Sequence, residues 1–319
     1  MQKHVLNPAY ATTRSLFKNV PEVEQKIASA LSTNTLWGGL RKKGFFKVST
    51  PDKPLITVIT VVYNGKKILE ETIRSVIEQT YDNVEYLIID GHSTDGTLDI
   101  VQTYDQQIDF WLSEPDKSLY DAMNKGIFWF GNTIVAFLNA DDVYIQNNVL
   151  EHIAQCFIDQ PEMQIIYGKI QADFEAEGCI LLFGKKYSTK DLKKGHCLPH
   201  PATFMRKEIL SAQGGFDLQY KTASDYDLIC KCFLNQSSSR FFTDRIITRF
   251  RLGGKSATPE TDVEKARIIR KHFGWIPYTI YTSSKSLSSI RQQILIFSGL
   301  RHLWRKVNKL KKVRIIQGD

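Results

Sequence analysis

No apolar run in this 319-residue chain reaches the roughly 18 residues that a membrane-spanning helix needs. The opening M-Q-K-H-V-L-N-P-A-Y lacks the apolar core of a signal peptide, so a cytoplasmic protein is expected. Cysteine is scarce: Cys156, Cys179, Cys197, Cys230 and Cys232 are odd in number and form no C-x-x-C pair. That excludes a zinc-finger spacing and a disulfide framework, and leaves reduced, partly buried thiols. There is no G-x-G-x-x-G and no G-x-x-x-x-G-K-[ST], so neither a dinucleotide fingerprint nor a phosphate loop is present. Internal repeats and long low-complexity linkers are missing too.

What remains is the composition of a globular protein, 42% hydrophobic and 24% charged, long enough for a sizeable core. The net charge of +8 is concentrated at one end. From Arg291 onward, eight basic residues (Arg291, Arg301, Arg305, Lys306, Lys309, Lys311, Lys312, Arg314) face a single acid, Asp319, a net +7. The basic character therefore belongs to an appendage. Its Leu295, Leu300, Leu303, Trp304, Val307 and Leu310 among cations suit an anionic membrane surface, and equally a helix docked on the body with a solvated basic face. Nucleic acid is not expected as a partner, because no recognisable module accompanies the charge.

Two periods alternate between residues 55 and 168. Residues 55–62, 84–90, 108–112, 133–138 and 164–168 read as strands, mostly apolar and β-branched. Between them Ile68, Leu69, Thr72, Ile73, Val76 and Ile77 share one helical face, and 96–104, 119–130 and 148–158 read as helices. This alternation predicts an α/β fold with a mainly parallel sheet covered on both faces. Farther on, 169–183 suits a hairpin, and 206–213, 224–234, 259–273 and 283–312 suit helices. One helix is expected near the start, at 20–31. The expected division is 1–53 as an N-terminal extension, 54–250 as the catalytic domain (54–143 and 144–250 as its halves), and 251–319 as a helical, basic tail.

Ligands of such sheets collect beyond the carboxyl ends of the strands. Tyr63-Asn64, Asp90, Glu114 and Asn139 to Asp142 all lie just past those ends. Asp141 and Asp142 are an unusual finish for an apolar strand, and fit a divalent metal site, a helix N-cap or a surface turn. Asp90 and Asp95, in D-G-H-S-T-D-G-T, fit acceptors for a ligand's N–H or O–H groups, or a turn capping the next helix. Asp121, Asn124 and Lys125 share a helical face, as phosphate and sugar ligands or as a surface ion pair.

Four motifs in fixed order, I-T-V-V-Y-N-G, L-I-I-D-G-H-S-T-D-G-T, Y-D-A-M-N-K-G-I and F-L-N-A-D-D, resemble a family 2 glycosyltransferase of GT-A fold over about residues 55–235. The resemblance leans toward the bacterial branch that builds colanic acid and other surface polysaccharides. It implies a Rossmann-like sheet with N- and C-terminal helical extensions. It implies that Thr60, Val62 and Tyr63 line a base pocket, that Asp90 accepts from the base, and that Asp95 supports the loop. Asn124 and Lys125 would contact sugar and diphosphate. The acidic D-x-D motif falls on Asn139-Ala140-Asp141, so its first acid is replaced. Asp141 would hold Mn²⁺ or Mg²⁺, with Asp142 beside it and Asn139 bonding the ribose or a metal-bound water.

The second acidic motif falls on T-A-S-D-Y-D-L, making Asp225 the implied catalytic base with Asp227 behind it; an N-cap is the plainer reading of that stretch alone. His200 matches a position near the acceptor, although a lone His is more often structural, and G-G-F-D (214–217) matches a loop that shapes the pocket. The implied activity is metal-dependent inverting transfer of a sugar, with UDP-sugars the expected donors, to a hydroxyl of a glycan or lipid-linked acceptor in surface polysaccharide biosynthesis. Peripheral contact with the inner face of the membrane would suit such an acceptor. Without Q-x-x-R-W or a spanning segment a processive synthase is disfavoured. A sugar nucleotidyltransferase lacks its triphosphate loop here, and a catalytically dead binding or scaffold protein is the alternative that Asn139 and Ser224 keep open.

Overall fold

The computed structural model describes residues 3–4, 7–18, 31, 35–129, 134–174, 179–235, 239–251 and 258–297, with the backbone alone at 3–4, 18, 173–174, 179 and 287–297. The expected helix at 20–31 and the part of the basic tail beyond 297 lie outside the described residues. The chain forms two units. One comprises 1–186 and 197–254, the other 187–196 and 255–319.

Among the described residues the strands are, in chain order, β1 (Lys3–His4), β2 (Leu16–Lys18), β3 (Leu36–Gly38), β4 (Phe45–Phe46), β5 (Ile56–Val62), β6 (Val84–Asp90), β7 (Phe110–Ser113), β8 (Ile134–Phe137), β9 (Val143–Tyr144), β10 (Ile165–Phe174), β11 (Cys179–Phe183), β12 (Thr203–Arg206) and β13 (Arg240–Arg251). β1, β2 and β4 make a small antiparallel sheet, and the rest form one sheet in the order β3-β7-β6-β5-β8-β12-β10-β13-β9, with β11 on β10. The block β7-β6-β5-β8 is parallel, with Val62 beside Asp90 and Asp90 beside Ser113. Every residue of β5 and β6 is buried, as expected of strands covered on both faces. Leu69, Thr72, Ile73, Val76 and Ile77 are the buried face of the helix Leu69–Ile77.

Three features depart from the periodicity. The strand at 240–251, R-F-F-T-D-R-I-I-T-R-F-R, carries too many cations to read as one, yet pairs in parallel with β10. The long last helix starts at Trp275, ahead of the expected 283. Part of the segment 1–53 is built into the body: β3 extends the main sheet along β7. Behind it, Arg41 pairs with Glu85, and Lys47 with Asp109 at 2.6 Å, all four side chains being buried.

In the second unit the helix Pro259–Phe273 is capped by Thr258 and stops at Gly274. The following helix returns Tyr281 and Lys285 to Asp262, at 2.9 and 2.7 Å. Among the described residues no helix is long and apolar enough to cross a membrane.

Candidate active site

The parallel strands deliver their polar residues to one rim, where two turns are laced together. After β5, Asn64 adopts a positive φ of 51°. Its amide donates to Ser93 Oγ at 2.8 Å, and its side-chain oxygen accepts from Thr94 N at 3.0 Å. Asp95 accepts from Lys66 N and Thr97 N, both at 3.0 Å, and the Thr97 hydroxyl holds its carboxyl below the usual range. Asp90 is buried at the end of β6 and accepts from Ser93 N at 3.1 Å and Ser113 Oγ at 2.6 Å. Of the residues expected around the base, Tyr63 is exposed on this rim, Val62 is nearly buried, and Thr60 is fully buried with its hydroxyl accepting from Tyr86 at 3.1 Å.

The Asn139–Asp142 turn follows β8. Thr72, counted in the sequence only as part of a helix face, reaches the carbonyls of Ala140 (2.8 Å) and Asp142 (2.9 Å) and so fixes the turn. Asn139 Nδ2 approaches Asp142 Oδ2 at 3.3 Å. The other oxygens, Asn139 Oδ1 and Asp142 Oδ1, are buried without a hydrogen-bond partner, which is costly for polar atoms unless something else satisfies them. Burial raises the Asp141 carboxyl, with its own backbone amide and Arg251 pulling back; burial and then Asp141 push Asp142 well above the usual range. Arg251 ends β13 and shares Glu71 with Arg249. Sequence spacing gave no hint of it, since it lies more than a hundred residues from the turn.

These oxygens form the donor set that Mg²⁺ and Mn²⁺ take. Among the described residues no group of three or more His, Cys, Asp or Glu converges as a complete protein cage. One or two carboxylates with water and phosphate suffice for these ions, so the turn fits the metal that the resemblance implies.

The helix Leu119–Trp129 and the helix Ser224–Leu234 meet through Tyr120 and Asp225. Tyr120 OH donates to Asp225 Oδ1 at 3.0 Å, across 105 positions of sequence, and Tyr226 N donates to the same oxygen at 2.8 Å. Burial, and then the Asp225 carboxylate, raise the Tyr120 phenol, which keeps it a donor. Asn124 donates to Phe216 O at 2.8 Å and accepts from Phe216 N at 2.9 Å, as a strand neighbour would. Lys125 pairs with Glu114 at 2.9 Å and donates to Pro115 O, with Asp121 farther away at 4.0 Å.

His200 stacks on Phe137 at 5.4 Å and meets Phe216 edge-on at 5.8 Å. Its Nε2 is buried without a partner, and burial lowers its pKa against the opposing pull of Asp225. Asp227 points away into the protein, fully buried against Lys231 at 2.9 Å. Ser224 donates to Asp217 O at 2.9 Å, which anchors the helix start to the G-G-F-D loop. The structure thus gathers Asp225, His200, Phe137, Phe216 and Tyr120 into one cluster. Tyr120 and Phe137 carried no assigned role in the sequence, because only tertiary contact reveals one.

Comparison with known proteins follows the same span. Residues 57–213 match the family model described as glycosyl transferase family 2. A PGL/p-HBAD biosynthesis glycosyltransferase of Mycobacterium bovis is 26% identical over 209 residues, 64% of this chain and 80% of that protein. An uncharacterized glycosyltransferase of Rickettsia prowazekii is 28% identical over 214 residues, 64% of this chain and 66% of that protein. Among solved structures, S. aureus TarS 1-349 in complex with UDP-GlcNAc aligns with TM-score 0.54 and 20% identity, over 68% of this chain and 66% of that one. Against the longer TarS structure the alignment spans 39% of that chain. The mannosyltransferase PcManGT from Pyrobaculum calidifontis, in complex with GDP-Man and Mn²⁺, aligns with TM-score 0.53 and 16% identity, over 83% and 75%. With the GT-A sheet and this match in place, residues 57–213 form a glycosyl transferase family 2 domain.

Proposed function

We propose that this glycosyltransferase moves a sugar from a nucleotide-sugar donor, UDP-linked by preference, to a hydroxyl of a glycan or lipid-linked acceptor, with inversion, in the building of surface polysaccharide. The observation that carries the reading is Asp225. It is partly exposed, held through one oxygen by Tyr120 and Tyr226, and grouped with His200, which stacks on Phe137 at the end of β8.

The base would lie over Asp90, with Tyr63 beside it and Asp95 bracing the loop. Asp141, with Asn139 and Asp142 on the same turn, would hold Mg²⁺ or Mn²⁺, which when bound offsets charge on the diphosphate. Asp225 takes the proton of the acceptor hydroxyl as its oxygen attacks the anomeric carbon. The bond from that carbon to the diphosphate oxygen breaks, and its electron pair leaves with the nucleoside diphosphate. A single displacement from the opposite face inverts the centre. Lys125, paired with Glu114 at 2.9 Å, would contact the diphosphate on release of that pairing. The tail beyond 291 supplies the cations for contact with an anionic membrane surface on the cytoplasmic side.

The test is release of nucleoside diphosphate from a panel of UDP-, GDP- and TDP-sugars with and without Mn²⁺. The expected result is metal-dependent turnover of one donor, lost at least about 100-fold in both Asp141→Asn and Asp225→Asn. Donor binding without turnover, even with lipid-linked acceptors supplied, would reject catalysis in favour of a binding role.

A further inference from the structure

We propose that Tyr120 is a positioning residue for Asp225, and that the helix Leu119–Trp129 aims the base through a lock formed by Asn124 and Phe216. The proposal rests on the reading of Asp225 as the base.

Both hydrogen bonds to the Asp225 side chain, from Tyr120 OH and from Tyr226 N, arrive at Oδ1. Oδ2 is therefore the oxygen left to accept a proton. A carboxylate rotates easily about its last bond, so two donors on one oxygen fix the direction in which the other points.

Tyr120 is itself held. Its ring stacks on Phe216 at 5.4 Å, with 26° between the planes, and Phe216 in turn meets Phe137 at 5.1 Å. The Phe216 main chain is clamped from both sides by the Asn124 amide. Tyr120 and Asn124 stand four residues apart, on one face of one helix. Gly215, at φ 74°, makes the approach possible, since a Cβ there would come within 2.7 Å of Asn124 Oδ1. The face that seats the loop is therefore the face that aims the base. The Asp225 charge is felt by Tyr120, His200 and Cys230, from three different segments. Of these three, Tyr120 donates a hydrogen bond to it.

The experiment uses the full chain with Mn²⁺ and UDP-GlcNAc, or GDP-mannose if that is the donor turned over, and compares Tyr120→Phe, Phe216→Leu and Asp225→Asn. Tyr120→Phe keeps the stack and removes the hydroxyl. It is expected to lower kcat about tenfold, the size of one hydrogen bond to a charged group, with donor KM within about twofold and a melting temperature lowered by only about 2–4 °C. Phe216→Leu keeps the hydroxyl but loosens its seat, and is expected to lower kcat by a smaller factor, again without a matching change in KM. An unchanged kcat in Tyr120→Phe while Asp225→Asn is dead would overturn the proposal alone. A parallel loss of kcat, donor affinity and melting temperature in both aromatic variants would also overturn it, by showing a structural role. Full activity in Asp225→Asn would instead remove the base assignment on which it stands.

Discussion

Arg41 offers a quantitative test of how the N-terminal segment supports the sheet. Its guanidinium meets Glu85 with both side chains almost excluded from solvent, and it also donates to Trp129 O at 2.5 Å. The faces of Phe46 and Phe110 lie at 5.9 and 5.6 Å. Glu85 also accepts from Thr57 Oγ1 at 2.8 Å. In Arg41→Met the volume and most of the packing survive, but Glu85 loses its directly bonded cation in a dry site, where Lys47 is the nearby cation that remains and is itself held by Asp109. The cheapest response of Glu85 is to take up a proton. From an ordinary Glu value of about 4.3 that costs about 3.7 kcal/mol at pH 7 and about 1 kcal/mol at pH 5. The lower figure of the two therefore applies in acid.

The sign follows directly. The variant's Glu85 has a folded pKa raised above its unfolded value, so the deficit is small in acid and grows as pH rises. Urea unfolding of wild type and Arg41→Met from pH 5 to 7.5, followed by circular dichroism, should show a difference that widens by about 1.4 kcal/mol per pH unit. The double variant Arg41→Met/Glu85→Gln should flatten that dependence. A deficit constant across the range would refute the reasoning, because packing loss does not titrate. A deficit under about 1 kcal/mol at pH 7 would do so too, since breaking a buried pair usually costs about 3–5 kcal/mol.

Two further outcomes are expected. Gly215→Ala forces a Cβ onto a left-handed backbone and against Asn124 Oδ1; it should cost about 2 kcal/mol and lower the melting temperature by about 4–8 °C, read by a thermal melt. Asp95 is held below its usual pKa first by the Thr97 hydroxyl. Its contribution is therefore fully present above the ordinary carboxylate range and fades as pH falls through the depressed value. Asp95→Asn should remove that part of the acid sensitivity of unfolding, and an unchanged acid profile would show that the loop brace is not coupled to stability.

The sequence determined the parallel block, because β5 and β6 are mostly apolar and β-branched and the helix after β5 shows its face in Leu69, Ile73, Val76 and Ile77. It also put Asp90 and the Asn139–Asp142 turn at one rim, since polar residues that follow parallel strands must lie at their carboxyl ends. Local signals of that kind survive in a linear reading. What the linear reading left open was decided by contacts between distant residues. Tyr120 meets Asp225, Asn124 clasps Phe216, and Thr72 ties the acidic turn.

The same holds for β13, whose cations hide a strand until β10 pairs with it. It holds for Arg41 and Lys47, whose burial shows only once Glu85 and Asp109 are brought against them. Charge is the common reason. A charged side chain has the same spelling whether it is hydrated or buried against a partner, and only the folded chain supplies the partner that makes burial tolerable.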